Sequence, residues 1–323
     1  MDSSSTSPTT QTVQPQIVRG VLRTLRPHQW IKNLFVLAPL FFSKQFLVPI
    51  QCARGVLAAL LFCLTAGTVY LFNDVFDVEK DRNHPVKRNR PIPSGQLPIR
   101  AAVMAAIGLG TGSLIVSYLL DLRLGVVVTI YLTMNLAYSM SLKNIAFVDV
   151  TIIATGFVLR VLAGAFAINV FISEWLFICT FLLALYLGMG KRLHELMLFE
   201  AGQVKKSRKV LERYKLPHLQ FGVLFVAGLT ISAYTIYTLA AALPNQPLRA
   251  TVSPFASPWL PVTIPLAIFG IVRFYYLLQL QDLKSPTELI LRDKVFIANL
   301  MIWGIVMAIL GFGWIELPPP PTL

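Results

Sequence analysis

Asn73-Asp74-Val75-Phe76-Asp77-Val78-Glu79-Lys80-Asp81 runs straight into Arg82-Asn83-His84-Pro85-Val86-Lys87-Arg88-Asn89-Arg90-Pro91. The residues before it, Gly55 to Phe72, are apolar and numerous enough to cross a bilayer. Acids at the end of such a span are costly without a partner. At about 100° per residue, Asn73, Asp77 and Asp81 recur at i, i+4 and i+8 and drift only about 40° per step. Two carboxylates and an amide oxygen therefore share one helix face. Left alone, the two acids would repel each other. A hard divalent cation relieves that repulsion, and Mg2+ takes one or two carboxylates together with the oxygens of a phosphorylated substrate. The stretch reads as a metal–diphosphate site, with Asn73, Asp77 and Asp81 as ligands and Lys87, Arg88 and Arg90 beside the diphosphate. Asp74 lies about 100° off that face and is expected to matter less.

The rest of the chain fits a membrane protein. Of 323 residues, 55% are hydrophobic and only 13% charged, against roughly a quarter charged in soluble domains. The formal net charge of +13 is then no nucleic-acid signal, because basic residues of membrane proteins collect in cytoplasmic loops. Cys52, Cys63 and Cys179 form no CxxC pair and read as small packing residues. Residues 1–16 are rich in Ser, Thr, Gln and Pro, so we expect a disordered tail there. A transmembrane domain follows over 17–317, with a short tail at 318–323.

Apolar runs predict nine spans, at 33–50, 54–74, 99–119, 124–141, 146–168, 173–190, 219–242, 259–279 and 295–315. With the N-terminus inside, 23 Lys and Arg fall on inner segments and three on outer ones. That places the N-terminus and every polar cluster on the cytoplasmic face of a multi-pass cell membrane protein, and the C-terminus outside.

Each inner segment adds candidates. Lys32 stands at the mouth of the first span, in Arg26-Pro27-His28-Gln29-Trp30-Ile31-Lys32-Asn33. Tyr138 and Lys143 lie in the third inner segment. Asp149 is a lone acid inside the fifth span, and such an acid is a functional hypothesis by default. We expect a second metal or substrate ligand there. Arg160 follows on nearly the same face, about 16 Å deeper and too far for direct contact. Lys191, Arg192 and Glu195 end the sixth span. Residues 201–215 read as a basic amphipathic loop at the lipid surface. Ser285 and Glu288 form a capping box. Gly108-Leu109-Gly110-Thr111-Gly112 reads as close helix packing.

These motifs resemble the UbiA superfamily of membrane prenyltransferases over Arg26 to Gly311. The Asn73–Asp81 motif with its basic tail carries most of the likeness. The resemblance implies an all-α integral membrane fold of nine transmembrane helices around a central cavity, with Mg2+-bound diphosphate at its cytoplasmic end. Within the superfamily the chain looks most like the decaprenyl-phosphate phosphoribosyltransferase branch. The residues behind this are Arg26-Pro-x-Gln-Trp-x-Lys-Asn33, Tyr138-Ser-x-x-Leu-Lys143, Asp149, Gly156-Phe-x-x-Arg160-x-x-x-Gly164, Gly190-Lys-Arg-x-x-Glu195 and Arg292-Asp-Lys294. A second D-x-x-x-D motif is missing, since Ile153 stands four residues after Asp149. This counts against an aromatic acceptor.

That branch implies phosphoribosyl diphosphate as donor, a polyprenyl phosphate as acceptor, and a product that feeds arabinan precursors of the cell envelope. Asp77, Asp81, Lys87 and Arg88 are then the catalytic candidates. Lys32, Asn73, Arg90, Tyr138, Lys143, Asp149, Arg160, Lys191, Arg192 and Glu195 are the substrate-binding ones, and Asn73, Asp77, Asp81 and Asp149 the metal ligands. Lys143, Lys191 and Arg192 are expected to take the ribose 5-phosphate. The partners are the donor, the lipid acceptor and the bilayer, with no nucleic acid; a homo-oligomer is left open. The alternatives are isoprenoid transfer from its diphosphate to an aromatic or other acceptor, and, from a different class, a transporter.

Overall fold

Proline and capping residues set where the helices of this chain begin. The computed structural model describes residues 13–171, 173–203, 209–242, 257–280, 282–283 and 285–314. An amphipathic helix α1 (Val13–Thr24) comes first, starting inside the stretch expected as tail; residues 1–12 and the expected tail at 318–323 lie outside the described residues.

Among the described residues, eight helices are long and apolar enough to cross a membrane: α3 (Pro49–Phe76), α5 (Ile99–Leu120), α6 (Leu122–Met140), α7 (Val148–Ala167), α8 (Glu174–Glu200), α9 (Leu216–Ala242), α10 (Ile264–Gln279, entered through a 3-10 turn from Leu260) and α12 (Lys294–Phe312). Pro49 opens α3, where its missing N–H costs nothing. The Asp121 carboxylate caps α6 by accepting from the backbone N–H groups of Arg123 and Leu124. Asp293 caps α12 through Phe296 N–H at 2.6 Å. Ser285 caps the short α11 (Pro286–Arg292) through Glu288 N–H, the first half of the expected box. The boundaries otherwise follow the apolar runs closely.

The exception is the first expected span. Residues 33–50 form no long helix: a 3-10 helix (Pro27–Leu37), a single α turn α2 (Ala38–Phe42) and a 3-10 turn (Gln45–Leu47) take its place. Arg26 and Lys44 adopt left-handed backbone (φ 53° and 60°), and Pro39 and Pro49 cannot donate to a preceding turn. A 3-10 helix sets residues i and i+3 above each other. Asn33 and Val36 accordingly lie buried in one stripe against α3 and α7. Val36 reaches α7 so closely that a Cβ on Gly164 would overlap its carbonyl oxygen.

The helices pack as α3 on α5, α7 on α8 and α8 on α9. One core gathers Val150, Tyr186, Leu193, Leu219 and Phe274; another gathers Val36, Phe62, Leu124, Tyr131 and Leu159. The outer surface is apolar, with Leu119, Phe221, Leu300 and Ile302 all exposed, as lipid contact requires. Of the glycines at 108, 110 and 112, only Gly110 is a close packing point, a Cβ there lying 3.1 Å from Thr68.

Candidate active site

The acidic motif bends rather than running as one helix. α3 ends at Phe76, Asp77 is the junction, and the short α4 (Val78–Arg82) follows. The i→i−4 ladder survives the bend, with Asp77 N–H on the Asn73 carbonyl (2.9 Å) and Asp81 N–H on the Asp77 carbonyl (2.8 Å). The three expected ligands keep their helical register.

Basic side chains meet every carboxylate of the motif. Arg90 lies between two of them, with Nη1 at 3.0 Å from Asp74 Oδ1 and 2.7 Å from Asp81 Oδ2. Arg26 Nη2 closes on Asp74 Oδ1 at 2.6 Å, and its guanidinium stacks over Tyr70. Lys87 stands 3.7 Å from Asp81, and Lys143 stands 3.5 Å from Asp77. Arg88 is exposed at the rim. Four cations thus surround three acids at one end of the bundle.

Asp74 was expected to matter less than Asp77 and Asp81; the structure gives it a part in the ion-pair network. Its side chain is 2% exposed and anchors both arginines. A signal for it was present: Asp74, Asp77 and Asp81 fall at i, i+3 and i+7, a shared helix face as good as the one counted from Asn73. Arg26 could not be foreseen, because its reach depends on a left-handed backbone.

The donor set fits a hard divalent cation. Asp77 is partly exposed, and Asn73 Oδ1 is a buried oxygen with no hydrogen-bond partner. Such an orphan acceptor is costly, and a cation would satisfy it. Among the described residues no three His, Cys, Asp or Glu side chains cluster as a metal cage; an amide and two carboxylates are what a cation also bound to substrate phosphate needs.

Asp149 is not brought to this group. It is fully buried at the start of α7, with Oδ2 held by Arg192 Nε at 2.6 Å and Oδ1 by the Tyr214 hydroxyl at 2.7 Å. Both oxygens thus have a protein partner. Arg192 is likewise buried, and its Nη1 turns to Glu195 at 3.2 Å. These residues form a buried network between α7, α8 and the connection that carries Tyr214. The reason is that α8 continues ten residues beyond the expected end at Gly190, which carries Arg192 and Glu195 along α7.

The 201–215 connection also departs from expectation. Val210, Leu211 and Tyr214 are buried in the core. The Tyr214 hydroxyl accepts from Phe147 N–H at 2.7 Å, at a residue with φ +64°. No local pattern announces this contact, which joins residues 67 positions apart. Burial raises the Tyr214 phenol above its usual range, so it stays a donor to Asp149.

Deeper in the bundle, Arg160 donates from Nε to Asn33 Oδ1 and from Nη2 to the Tyr131 hydroxyl, each at 2.8 Å. Lys32 lies outside the eight long helices, and water reaches its side chain. Protein nonetheless surrounds it: burial, then the charges of Lys191, Arg160 and Arg26, push its ammonium down to about 8. Tyr138 is half-buried beside Arg192.

Comparison with known proteins follows this geometry. Residues 34–300 match the UbiA prenyltransferase family. The chain is 32% identical over 291 residues to the decaprenyl-phosphate phosphoribosyltransferase of Mycolicibacterium smegmatis, covering 89% of this chain and 91% of that one. It is 31% identical over 301 residues to the same-named protein of Corynebacterium glutamicum, covering 90% and 86%. A UbiA homolog from Archaeoglobus fulgidus bound to GPP and Mg2+ superposes with a TM-score of 0.64 at 17% identity, over 92% of this chain and 100% of that one. A digeranylgeranylglyceryl phosphate synthase structure gives 0.63 at 15% identity, over 91% and 99%. These last two likenesses carry the fold alone.

Proposed function

We propose a specific activity for this chain, which belongs to the UbiA prenyltransferase family and is a multi-pass membrane transferase: it moves 5-phosphoribosyl from phosphoribosyl diphosphate to a polyprenyl phosphate, releasing diphosphate. The observation that carries the reading is the surplus of positive charge at the acidic motif. Arg26, Lys87, Arg90 and Lys143 converge on Asp74, Asp77 and Asp81. A donor with phosphates at both ends of a sugar suits such a site. The phosphoribosyltransferases at 31–32% identity over about nine-tenths of the chain support the branch.

Asn73, Asp77 and Asp81 would hold Mg2+, which supplies Lewis-acid neutralisation of the leaving diphosphate. The side chains of the protein do the rest. Arg90 and Lys87 are the nearest fixed cations to the bond that breaks, and they stabilise the charge that grows on the leaving oxygen. Arg88 adds charge at the rim. Lys143, tethered to Asp77, and Lys191 face the sugar end of the donor. Asp149, Arg192 and Glu195 fix the relative height of α7 and α8. The acceptor phosphate is already an anion, so no strong base is required.

We place the site at the cytoplasmic face of the cell membrane, on the distribution of Lys and Arg, and the product among precursors of cell-envelope arabinan. The test is incubation of the purified chain in nanodiscs with labelled phosphoribosyl diphosphate, a polyprenyl phosphate and Mg2+. A labelled lipid product is expected. Failure of the wild type to bind the donor in the presence of Mg2+ would return the reading to isoprenoid transfer.

A further inference from the structure

Arg160 is a buried cation with no counter-ion. It is 7% exposed, and its contacts are all neutral: the Asn33 amide oxygen, the Tyr131 hydroxyl, and the ring faces of Tyr131 and Phe157 at 5.0 and 5.1 Å. No carboxylate among the described residues lies within ion-pair distance of it. The other buried arginine, Arg192, has two acids. Arg160 Nη1 makes no hydrogen bond to the described residues and flanks Gly156, where an added Cβ would sit 3.3 Å away. Glycine thus leaves the guanidinium room to lie against α7. Lys32 adds a second charge and has neither ion pair nor hydrogen bond among the described residues. A buried cation without a counter-ion is costly, the charges of Arg160 and Lys32 act on each other, and an incoming anion would offset both.

We infer that Arg160 and Lys32, oriented by Asn33 and Tyr131, seat the phosphate of the lipid acceptor. The inference rests on the proposed transfer and assigns one of its two substrates. Position decides between the two. Lys143 ties the connection before α7 to Asp77, so the start of α7 lies at the diphosphate end. Arg160 lies twelve residues further along α7, about 18 Å along the helix axis. In the displacement an acceptor phosphate oxygen forms a bond to the sugar carbon. The bond from that carbon to the diphosphate oxygen breaks, and its electron pair leaves with the diphosphate. No proton needs to move. The nucleophile must approach opposite the leaving group, which means from the bundle side, where Arg160 stands.

The experiment uses the full chain in nanodiscs with Arg160→Gln and, separately, Lys32→Met. Lys32 is unpaired, so its replacement should leave folding intact even if Arg160→Gln does not. Removal of one charge-assisted contact should raise the acceptor KM by roughly ten- to a hundredfold. Mg2+-dependent binding of phosphoribosyl diphosphate should change by less than about twofold. Donor binding lost with an unchanged acceptor KM would overturn the assignment and give this seat to the ribose 5-phosphate. An equal effect on both substrates, or on neither, would overturn it too. Native mass spectrometry with a short-chain polyprenyl phosphate and no donor adds an independent reading. Retention by wild type and loss from the variants is expected even if the donor proves to be something else, whereas equal retention overturns the assignment.

Discussion

Asp149 and Arg192 face each other at 2.6 Å across α7 and α8, with side chains 0% and 2% exposed. A charge so placed is tolerable only with its partner. Arg192→Met should cost about 3–5 kcal/mol, because it strands a buried carboxylate. Thermal unfolding in detergent should place the double variant Asp149→Leu/Arg192→Met above Arg192→Met. A double variant less stable than the single one would mean that the pair contributes more than mutual neutralisation.

Asp74 and Asp77 should separate stability from chemistry. Asp74→Asn removes the anchor of Arg26 and Arg90, both partly exposed, and should cost about 1–3 kcal/mol. Asp77→Asn has one distant partner to lose and should unfold close to wild type, yet lose Mg2+-dependent turnover. Unfolding curves and initial rates on the same preparations decide this. A stable, active Asp74→Asn would return Asp74 to the periphery.

Lys32 should impose a pH limit on anion binding. Its ammonium is held down to about 8 by burial and by Lys191, Arg160 and Arg26. Below pH 8 it is charged in free and bound protein alike, so affinity is level. Above pH 8 the free amine loses its proton and a bound anion must restore it. Affinity should then fall by up to about tenfold per pH unit. The acceptor KM measured from pH 6.5 to 9.5 should rise only on the alkaline side, and Lys32→Met should flatten that limb.

Tyr214 should act through Lys143. Its hydroxyl holds Phe147 at φ +64°, and Phe147 lies four residues beyond Lys143. Tyr214→Phe frees that backbone, at a cost of about 1–3 kcal/mol, and should raise the donor KM more than it lowers kcat. In combination with Lys143→Met the effects should not add. Full additivity would make Tyr214 a packing residue only.

The legibility of the sequence followed the range of each interaction. Long apolar runs between turns announced the eight helices, because a span is a local property. The register of Asn73, Asp77 and Asp81 was legible for the same reason. The break at 27–47 was not, since an apolar run with prolines reads alike as kinked helix or as 3-10 turns. Asp149 showed its importance as a lone acid in a span, but its partners lie 43 and 65 residues away. No periodicity reports such distances, so neither partner could be named from the sequence. Arg160 stood out in the sequence as a cation within a span, while its lack of a counter-ion among the described residues became visible only when the surrounding helices were in position.

Gly164 gives the fold a bearing. Two backbones run against each other there, and a single hydrogen stands where a methyl group would collide with the Val36 carbonyl. Val36 lies one 3-10 turn past Asn33, and Asn33 fixes the Arg160 guanidinium. The alignment of a charge in the middle of the protein is therefore set by a residue that has no chemistry of its own. A substitution at 164 would read as loss of substrate recognition in any screen, although nothing at that position touches a substrate.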